Sequence, residues 1–323
     1  MDKIHAKRAV TVNMVVPVLI VLCVALSLAA PEFLGVTNIM NTLRQISMLG
    51  IVACGVTFVM VTGNMDISTG SQIGLNGVIV AFFMMRLGIP WLPSIVLTLI
   101  AGLVLGFANG IFAACTSISP FIITLGTMQI YKGASYIISG GLPIAGLPET
   151  FKLLGQGYVS VVPVPVIVLV VAAIISAVVL TRTSVGRHIY AMGGNAEATR
   201  LAGVDTRKLI TLVYSVNGLA CALAGIVYAA RVNSGIPGAG EDYTFDVITA
   251  SVLGGVSLSG GKGSVLGTMG GVLVIGVLAN GLVLLDVSEF WQQVIKGSIL
   301  LLAVYIDAVK HQSEQKKSAQ IQK

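Results

Sequence analysis

The chain has 323 residues, of which 55% are hydrophobic and only 10% charged, and its mean hydropathy is +0.95. An ordinary soluble domain carries about 25% charged residues, and a protein of this size cannot bury so much apolar surface and still cover itself with polar groups. A cytosolic enzyme, a disordered chain and a nucleic-acid binder are therefore excluded; the surroundings are membrane lipid, and the net charge of +6 is read as a topology signal.

Stretches free of charge mark the spans. A helix needs roughly 20 mainly apolar residues to cross the hydrocarbon core. The sequence predicts ten spans, at about 12–30, 46–62, 68–85, 91–114, 119–139, 162–181, 209–229, 245–258, 264–284 and 290–307. The uncharged run 87–131 is too long for one crossing and is split at the polar turn Cys115-Thr-Ser-Ile-Ser-Pro120. The first span follows Lys3, Lys7 and Arg8 and ends in Ser27-Leu-Ala-Ala30, a sequence with the look of a secretory cleavage site. With nine apolar segments after it, we read it as an uncleaved helix. The eighth span is short and Gly-rich and is expected to be broken or re-entrant. The expected fold is an all-α integral membrane protein with one transmembrane domain over 1–323, a cytoplasmic loop at 182–208 and a cytoplasmic tail at 308–323.

Ten crossings put both termini on one side. The proposed inner segments hold 13 Lys and Arg, against 4 in the outer loops (Arg44, Arg86, Lys152 and Arg231). This bias predicts cytoplasmic termini. Lys132 and Lys296 fall inside spans, where each either snorkels to the headgroups or faces a cavity.

Lipid gives little hydrophobic drive for helix association, so close packing needs small residues. Gly102, Gly106 and Gly110 in the fourth span, and Gly263, Gly267 and Gly271 in the ninth, are spaced by four and are read as packing faces. Ala108-Asn109-Gly110 recurs as Ala279-Asn280-Gly281, and Gly126 matches Gly297 at the same offset. By the predicted topology the two copies run in opposite directions. This suggests inverted repeats over spans two to five and seven to ten, the ground plan of many transporters.

Chemistry of other kinds is not expected. Cys23, Cys54, Cys115 and Cys221 share no spacing and read as small apolar residues. His5, His188 and His311 lie far apart, and no metal site is expected. Gly255-Val-Ser-Leu-Ser-Gly-Gly-Lys-Gly-Ser264 lacks the spacing of a phosphate loop, so no ATP or other cofactor is expected on this chain. Asp66 joins the second and third spans and reads as an N-cap or as a gate at the cytoplasmic mouth. Candidates for a pathway lined by amides and hydroxyls are Asp66, Ser68, Gln72, Asn76, Asn109, Thr124, Asn280 and Lys296. Interhelical hydrogen bonding is the competing use of these polar groups.

In the inner loop, Asn195 is placed to cap a short helix, Glu197 suits its first turn and Gly203 can end it. Leu201 and Val204 are then displayed outside the membrane. The segment reads either as a docking element for a cytoplasmic partner or as a solvated connector.

Several stretches together resemble the permease subunits of bacterial ribose-type ATP-binding-cassette importers, within the branched-chain amino acid/ribose permease family. They are Gly63-Asn-Met-Asp-Ile-Ser-Thr-Gly-Ser71, Pro120-Phe-Ile-Ile-Thr-Leu-Gly126, Ala191-Met-Gly-Gly-Asn-Ala-Glu-Ala-Thr-Arg-Leu-Ala-Gly-Val204 and Val252-Leu-Gly-Gly-Val-Ser-Leu-Ser-Gly-Gly-Lys-Gly263. The resemblance runs from about Pro31 to Asp307. It implies that the inner loop is the coupling helix seated on an ATPase subunit, with Asn195, Glu197, Arg200, Leu201, Gly203 and Val204 at the contact. It further implies ATP-Mg bound by that partner, an extracytoplasmic sugar-binding protein, a second permease copy or similar subunit, and a place in the bacterial inner membrane. Asn64, Met65 and Thr69 depart from the family pattern and leave the sugar open. An ion-gradient-driven secondary transporter is the alternative; such a protein has no need of a docking helix.

Overall fold

The computed structural model describes the backbone of residues 2–321 and the side chains of residues 15–309. Lys3, Lys7, Arg8 and the basic residues of the tail, which weigh in the expected topology, lie outside the described side chains. Thirteen α-helices are present among the described residues. In chain order they are α1 (Asp2–Ala29), α2 (Val36–Val61), α3 (Thr69–Met85), α4 (Trp91–Cys115), α5 (Pro120–Ser139), α6 (Glu149–Gln156), α7 (Val164–Arg182), α8 (Ser184–Gly194), α9 (Ala196–Leu201), α10 (Thr206–Val232), α11 (Tyr243–Leu253), α12 (Val265–Leu284) and α13 (Glu289–Ile321).

Each expected span falls on a helix. Six helices, α2, α4, α7, α10, α12 and α13 to Val309, are long and apolar enough to cross a membrane. The chain is therefore a multi-pass membrane protein. Its centre is α2, whose apolar stretch is 89% buried inside the protein, whereas that of α7 is 11% buried and faces outward. A helix apolar on all sides is stable only when enclosed by other helices or lipid, and α2 is enclosed by α7, α10, α11 and α12.

Boundaries differ where charge misled the reading. α2 starts at Val36, ten residues ahead of the expected span, so Arg44 is helical and not in a loop. Its guanidinium lies 4.6 Å from the centre of the Tyr158 ring and donates to the Gln156 carbonyl at 2.8 Å. Stacking on an aromatic ring and donating to a carbonyl lets a helix carry this cation near its end. The segment 140–161 is not a plain loop. It holds the amphipathic α6, with Phe151 fully buried, and two short strand pairings. β1 (Ile144–Ala145) pairs antiparallel with β4 (Ser234–Gly235), and β2 (Tyr158–Val159) with β3 (Val162–Pro163). Of the cysteines, Cys54 and Cys221 are buried, Cys23 is half-buried and Cys115 is exposed at the end of α4.

Glycine sets the closest packing. A side chain at Gly106 would meet the Tyr214 carbonyl and the backbone of Gly218; one at Gly102 would meet Gly218 and Ala222; one at Gly110 would meet Thr211. The α4 and α10 backbones are therefore in direct contact, as the spacing in the fourth span predicts. In the ninth span, Gly267 and Gly271 pack against Gly254 and Ala250 of the α11 region. Gly263 is a correction: it precedes α12, has φ +144° and belongs to a turn, because Ser264 caps the helix and sets its start.

The eighth span is interrupted. After α10, residues 234–242 run down the flank of α3 as a two-residue strand followed by consecutive turns. Gly235 abuts Gly77 and Ala81, Ala239 abuts Gly74, and Gly240 abuts Gly70. Only then does the 11-residue α11 begin. The helix starts of α3 and α11 meet there, the Gly70 N–H donating to Thr244 Oγ1 at 3.0 Å. Glycines without Cβ allow backbone to lie on helix at this distance, and irregular backbone at depth is tolerated only when buried in protein. The contacts around the two starts correspond: α3 meets α4, α5 and α10, whereas α11 meets α12, α13 and α2.

Candidate functional site

The loop 182–208 folds into two capped helices. Thr183 Oγ1 accepts the Gly186 N–H at 3.2 Å to start α8, which the sequence reading missed. Asn195 Oδ1 accepts the Ala198 N–H at 2.9 Å to start α9, as its residue type predicts. Arg200 donates to both carboxylate oxygens of Glu197 at 3.0 and 2.6 Å, and this hydrogen bonding holds the Glu197 carboxyl below its usual range. Exposed pairs of this sort add little stability. Gly203 has φ +87°, which turns the chain so that Val204 N–H returns to the Thr199 carbonyl at 3.3 Å. The result displays Leu201, 75% exposed, beside an open groove of about 430 Å³ lined by His188, Gly203, Val204 and Lys208.

This loop is not an isolated appendage. A side chain at Gly193 of α8 would collide with the Val61 carbonyl and the Gly261 amide. Gly261 N–H itself donates to Val61 O at 2.8 Å, and the Tyr190 hydroxyl donates to the Gly263 carbonyl at 2.8 Å. One backbone position of α8 thus touches both the last residue of α2 and the turn before α12.

The turn after α2 leads to a buried polar knot. Asp66 is 2% exposed and is not the N-cap of α3, which begins at Thr69. Its Oδ1 accepts from the Ser68 N–H at 2.9 Å and from the Ser68 hydroxyl at 2.6 Å. Its Oδ2 accepts from Asn217 Nδ2 of α10 at 2.9 Å and from Gln72 Nε2 at 3.4 Å. Asn109 Nδ2 of α4 donates to Ser68 Oγ at 2.8 Å, and its Oδ1 accepts from the Tyr131 hydroxyl of α5 at 3.0 Å. Thr124 Oγ1 of α5 accepts the Ile67 N–H at 3.1 Å. The Tyr214 hydroxyl closes the far side on the Met65 carbonyl at 2.8 Å.

Five pathway candidates, Asp66, Ser68, Gln72, Asn109 and Thr124, therefore converge in this knot. Asn76 lies one turn further along α3, donating to the Gln72 carbonyl at 2.7 Å. Asn217, Tyr131 and Tyr214 were missed: amides and phenols inside an uncharged window leave no mark in a charge scan. Three buried amide oxygens, Gln72 Oε1, Asn76 Oδ1 and Asn217 Oδ1, have no hydrogen-bond partner, a cost of about 1–3 kcal/mol each that surrounding packing must offset.

The remaining two candidates lie elsewhere. Asn280 forms a reciprocal amide pair with Asn38, at 3.0 and 2.8 Å, clasping the end of α12 to the start of α2. Lys296 of α13 donates to Asp246 Oδ2 of α11 at 2.7 Å, and both are partly buried. Asp246 had no place in the sequence reading. It gives the intramembrane ammonium the partner that low-dielectric surroundings demand. Lys132 pairs with Glu241 at 2.9 Å on an exposed edge. Among the described residues no group of His, Cys, Asp and Glu is arranged to hold a metal ion.

Comparison with known sequences now decides the family. Residues 38–304 match the branched-chain amino acid transport system / permease component family. The chain belongs to that family. This permease is 42% identical over 294 residues to the ribose import permease protein RbsC of Bacillus subtilis (strain 168), covering 90% of this chain and 91% of that one. It is 38% identical to RbsC of Escherichia coli (strain K12) over 296 residues, 90% of this chain and 92% of the other. It is 33% identical to the xylose transport system permease protein XylH of Haemophilus influenzae, covering 85% of the permease and 90% of the relative. No solved structure matches the permease.

Proposed function

We propose that this permease is the transmembrane subunit of an ATP-binding-cassette importer that carries a small neutral sugar, most simply ribose, across the bacterial inner membrane. The relatives named for ribose and xylose support the cargo class. The observation that carries the coupling role is Gly193. It joins a capped, apolar-tipped loop to the last residue of α2 and to the turn before α12. A partner ATPase gripping Leu201, Val204 and the neighbouring Asn195, Glu197, Arg200 and Gly203 would move both together, and alternating access follows from that motion. ATP-Mg is bound and hydrolysed on the partner. A loaded sugar-binding protein docks on the outer face, and a second permease copy completes the pathway.

We place ten crossings and cytoplasmic termini on the basic-residue bias, and inverted repeats on the corresponding neighbours of α3 and α11. Within this reading the whole chain is one transmembrane domain, with 308–323 as a tail. Co-expression with the cognate ATPase tests the proposal. Leu201→Asp is expected to abolish co-purification and ATP-dependent sugar uptake while the permease still inserts. Full uptake by a chain with 195–204 scrambled, or uptake that survives ATP depletion, would instead favour an ion-driven carrier.

A further inference from the structure

The start of α11 holds a small open pocket that the polar knot at α3 does not. Its volume is about 130 Å³. Gln45 of α2, Asp242, Tyr243 and Asp246 at the start of α11, and Lys296 of α13 supply its polar side, and α12 closes it with an apolar wall at Ile275, Gly276 and Ala279. Four helices thus contribute to one cavity.

Its depth follows from helix geometry. Gln45 is nine residues into α2 and Lys296 seven into α13, which at 1.5 Å per residue is roughly 10–14 Å from the end each helix starts from. α11 itself begins only where the non-helical segment 234–240 has already run about three turns down α3. The pocket therefore opens at the interior end of a discontinuous helix, between elements of the two halves. Substrate sites of transporters concentrate at such places.

The donor set selects the ligand class. Lys296 only donates, Asp242 and Asp246 only accept, and the Gln45 amide does both. A hydroxyl also donates and accepts, so neighbouring hydroxyls of a polyol match this mixture, while the apolar wall suits the C–H face of a sugar ring. A metal cation is disfavoured because the Lys296 ammonium already occupies Asp246 at 2.7 Å. The volume is below the ~300–1,000 Å³ of drug-sized sites and fits a solute no larger than one monosaccharide. Resting on the sugar-importer reading above, we infer that this pocket is a transient polyol subsite on the translocation pathway, with Gln45, Asp246 and Lys296 contacting sugar hydroxyls.

Two measurements on the reconstituted importer, with receptor and ATPase, test this. In a chain whose accessible Cys23 and Cys115 are serine, Ala279→Cys reports from the pocket wall. A small hydrophilic thiol reagent is expected to label it in at least one nucleotide state, and millimolar ribose or xylose to slow that labelling several-fold. Gln45→Leu, which leaves the ion pair intact, is expected to remove the protection. It is also expected to change the ratio of ribose to xylose uptake by about 2- to 10-fold, the range one neutral hydrogen bond supports. A wall that is never labelled, labelling that neither sugar slows, or two uptake rates that fall in equal proportion would overturn the subsite. Equal falls would mark the pocket as purely structural. Absence of ATP-dependent sugar uptake by the unsubstituted complex would instead overturn the importer reading, whatever the labelling shows.

Discussion

The starts of α3 and α11 touch each other through Gly70 and Thr244, yet their surroundings are filled in opposite ways. Around α3, neutral amides and hydroxyls from α4, α5 and α10 close on Asp66 and leave it 2% exposed. Around α11, the corresponding neighbours α12, α13 and α2 supply a lysine, an amide and an apolar wall that stop short of closing. α12 packs backbone to backbone on α11 at Gly267 and Gly271, so the contrast lies in the corresponding pairs α4–α10 and α12–α2. α4 meets α10 backbone to backbone at Gly102, Gly106 and Gly218, whereas at Gly276 α12 meets only the side chain of Ile46 on α2. Packing without gaps leaves few alternative arrangements, so the α3 side, with α4 and α10, suits a rigid body. A pair separated by a side chain and a cavity, not by backbone in contact with backbone, has room to shift. On this view the α3 side is the frame and the α11 side is where solute contact and movement concentrate.

The sharpest way to break that contrast is at the helix pairs. Gly106→Leu forces a side chain into the Tyr214 carbonyl and the Gly218 backbone, neither of which can move aside. We expect a loss of about 3 kcal/mol or more, at the upper end of overpacking effects, and little folded protein in detergent. Gly276→Ala presses on the Ile46 side chain and not on backbone, but Ile46 is β-branched with one favoured rotamer in a helix, so about 1–2 kcal/mol is expected. Thermal unfolding of the purified variants measures both. Equal losses would mean that the two pairs are not different in kind.

The next largest effect is expected at the knot. Asp66→Ala strands the donors of Ser68, Asn217 and Gln72 in a buried site. At about 1–3 kcal/mol for each unsatisfied group, a loss of about 3 kcal/mol is expected in the same unfolding measurement. Asp66→Asn keeps the volume and one acceptor and should retain roughly half of that stability. A variant Asp66→Ala that unfolds like the parent but transports poorly would show that the carboxylate serves the pathway and not the frame.

The contrast also explains what could be read from the sequence. Charge gaps located every major helix, because a charge inside lipid is costly and its absence is informative. Within the loop 182–208, α9 was readable, since Asn195 caps and Gly203 turns through local chemistry that needs no tertiary context, whereas α8 and its Thr183 cap were not. The α3 site was half readable, since Asp66 and its neighbours on α3 stood out while Asn217 and Tyr131 did not. Those two matter only through contacts more than twenty residues away in sequence. The α11 site was nearly invisible. Asp242 and Asp246 stand at the start of α11, at the edge of the expected span 245–258, where charge served only to mark a boundary, and Gln45 fell just outside the expected second span because Arg44 beside it ended the uncharged run. Arg44 remains in a helix only because Tyr158 and Gln156 receive it, a contact fixed by folding.

At the ion pair the expected loss is smaller. Lys296→Met leaves Asp246 without its partner, yet the pocket is open and the carboxylate can be rehydrated. About 1–2 kcal/mol is expected, with most of it recovered in Lys296→Met/Asp246→Asn, since removing both members of a pair avoids stranding either. No recovery in the double variant would show that Lys296 supports something besides Asp246.

The smallest effect is expected at Asn280. Its amide pair with Asn38 joins two helix ends, and Asn38 keeps a second acceptor, the Phe33 carbonyl at 3.0 Å. Interhelical polar contacts in membranes average about 0.6 kcal/mol, so Asn280→Ala should lower stability by about that amount and leave sugar uptake close to that of the parent. Asn109, which stands in the matching Ala-Asn-Gly triplet, ties Ser68 to Tyr131 inside the closed knot. Both amides make two side-chain hydrogen bonds, but those of Asn109 are fully buried whereas those of Asn280 are partly exposed, so Asn109→Ala should cost more than Asn280→Ala by about 1 kcal/mol, the lower end of the penalty for stranding a buried polar group. If the two substitutions prove equal in stability but Asn280→Ala alone lowers uptake, the α12 end belongs with the solute-contacting side and the frame is confined to α3, α4 and α10.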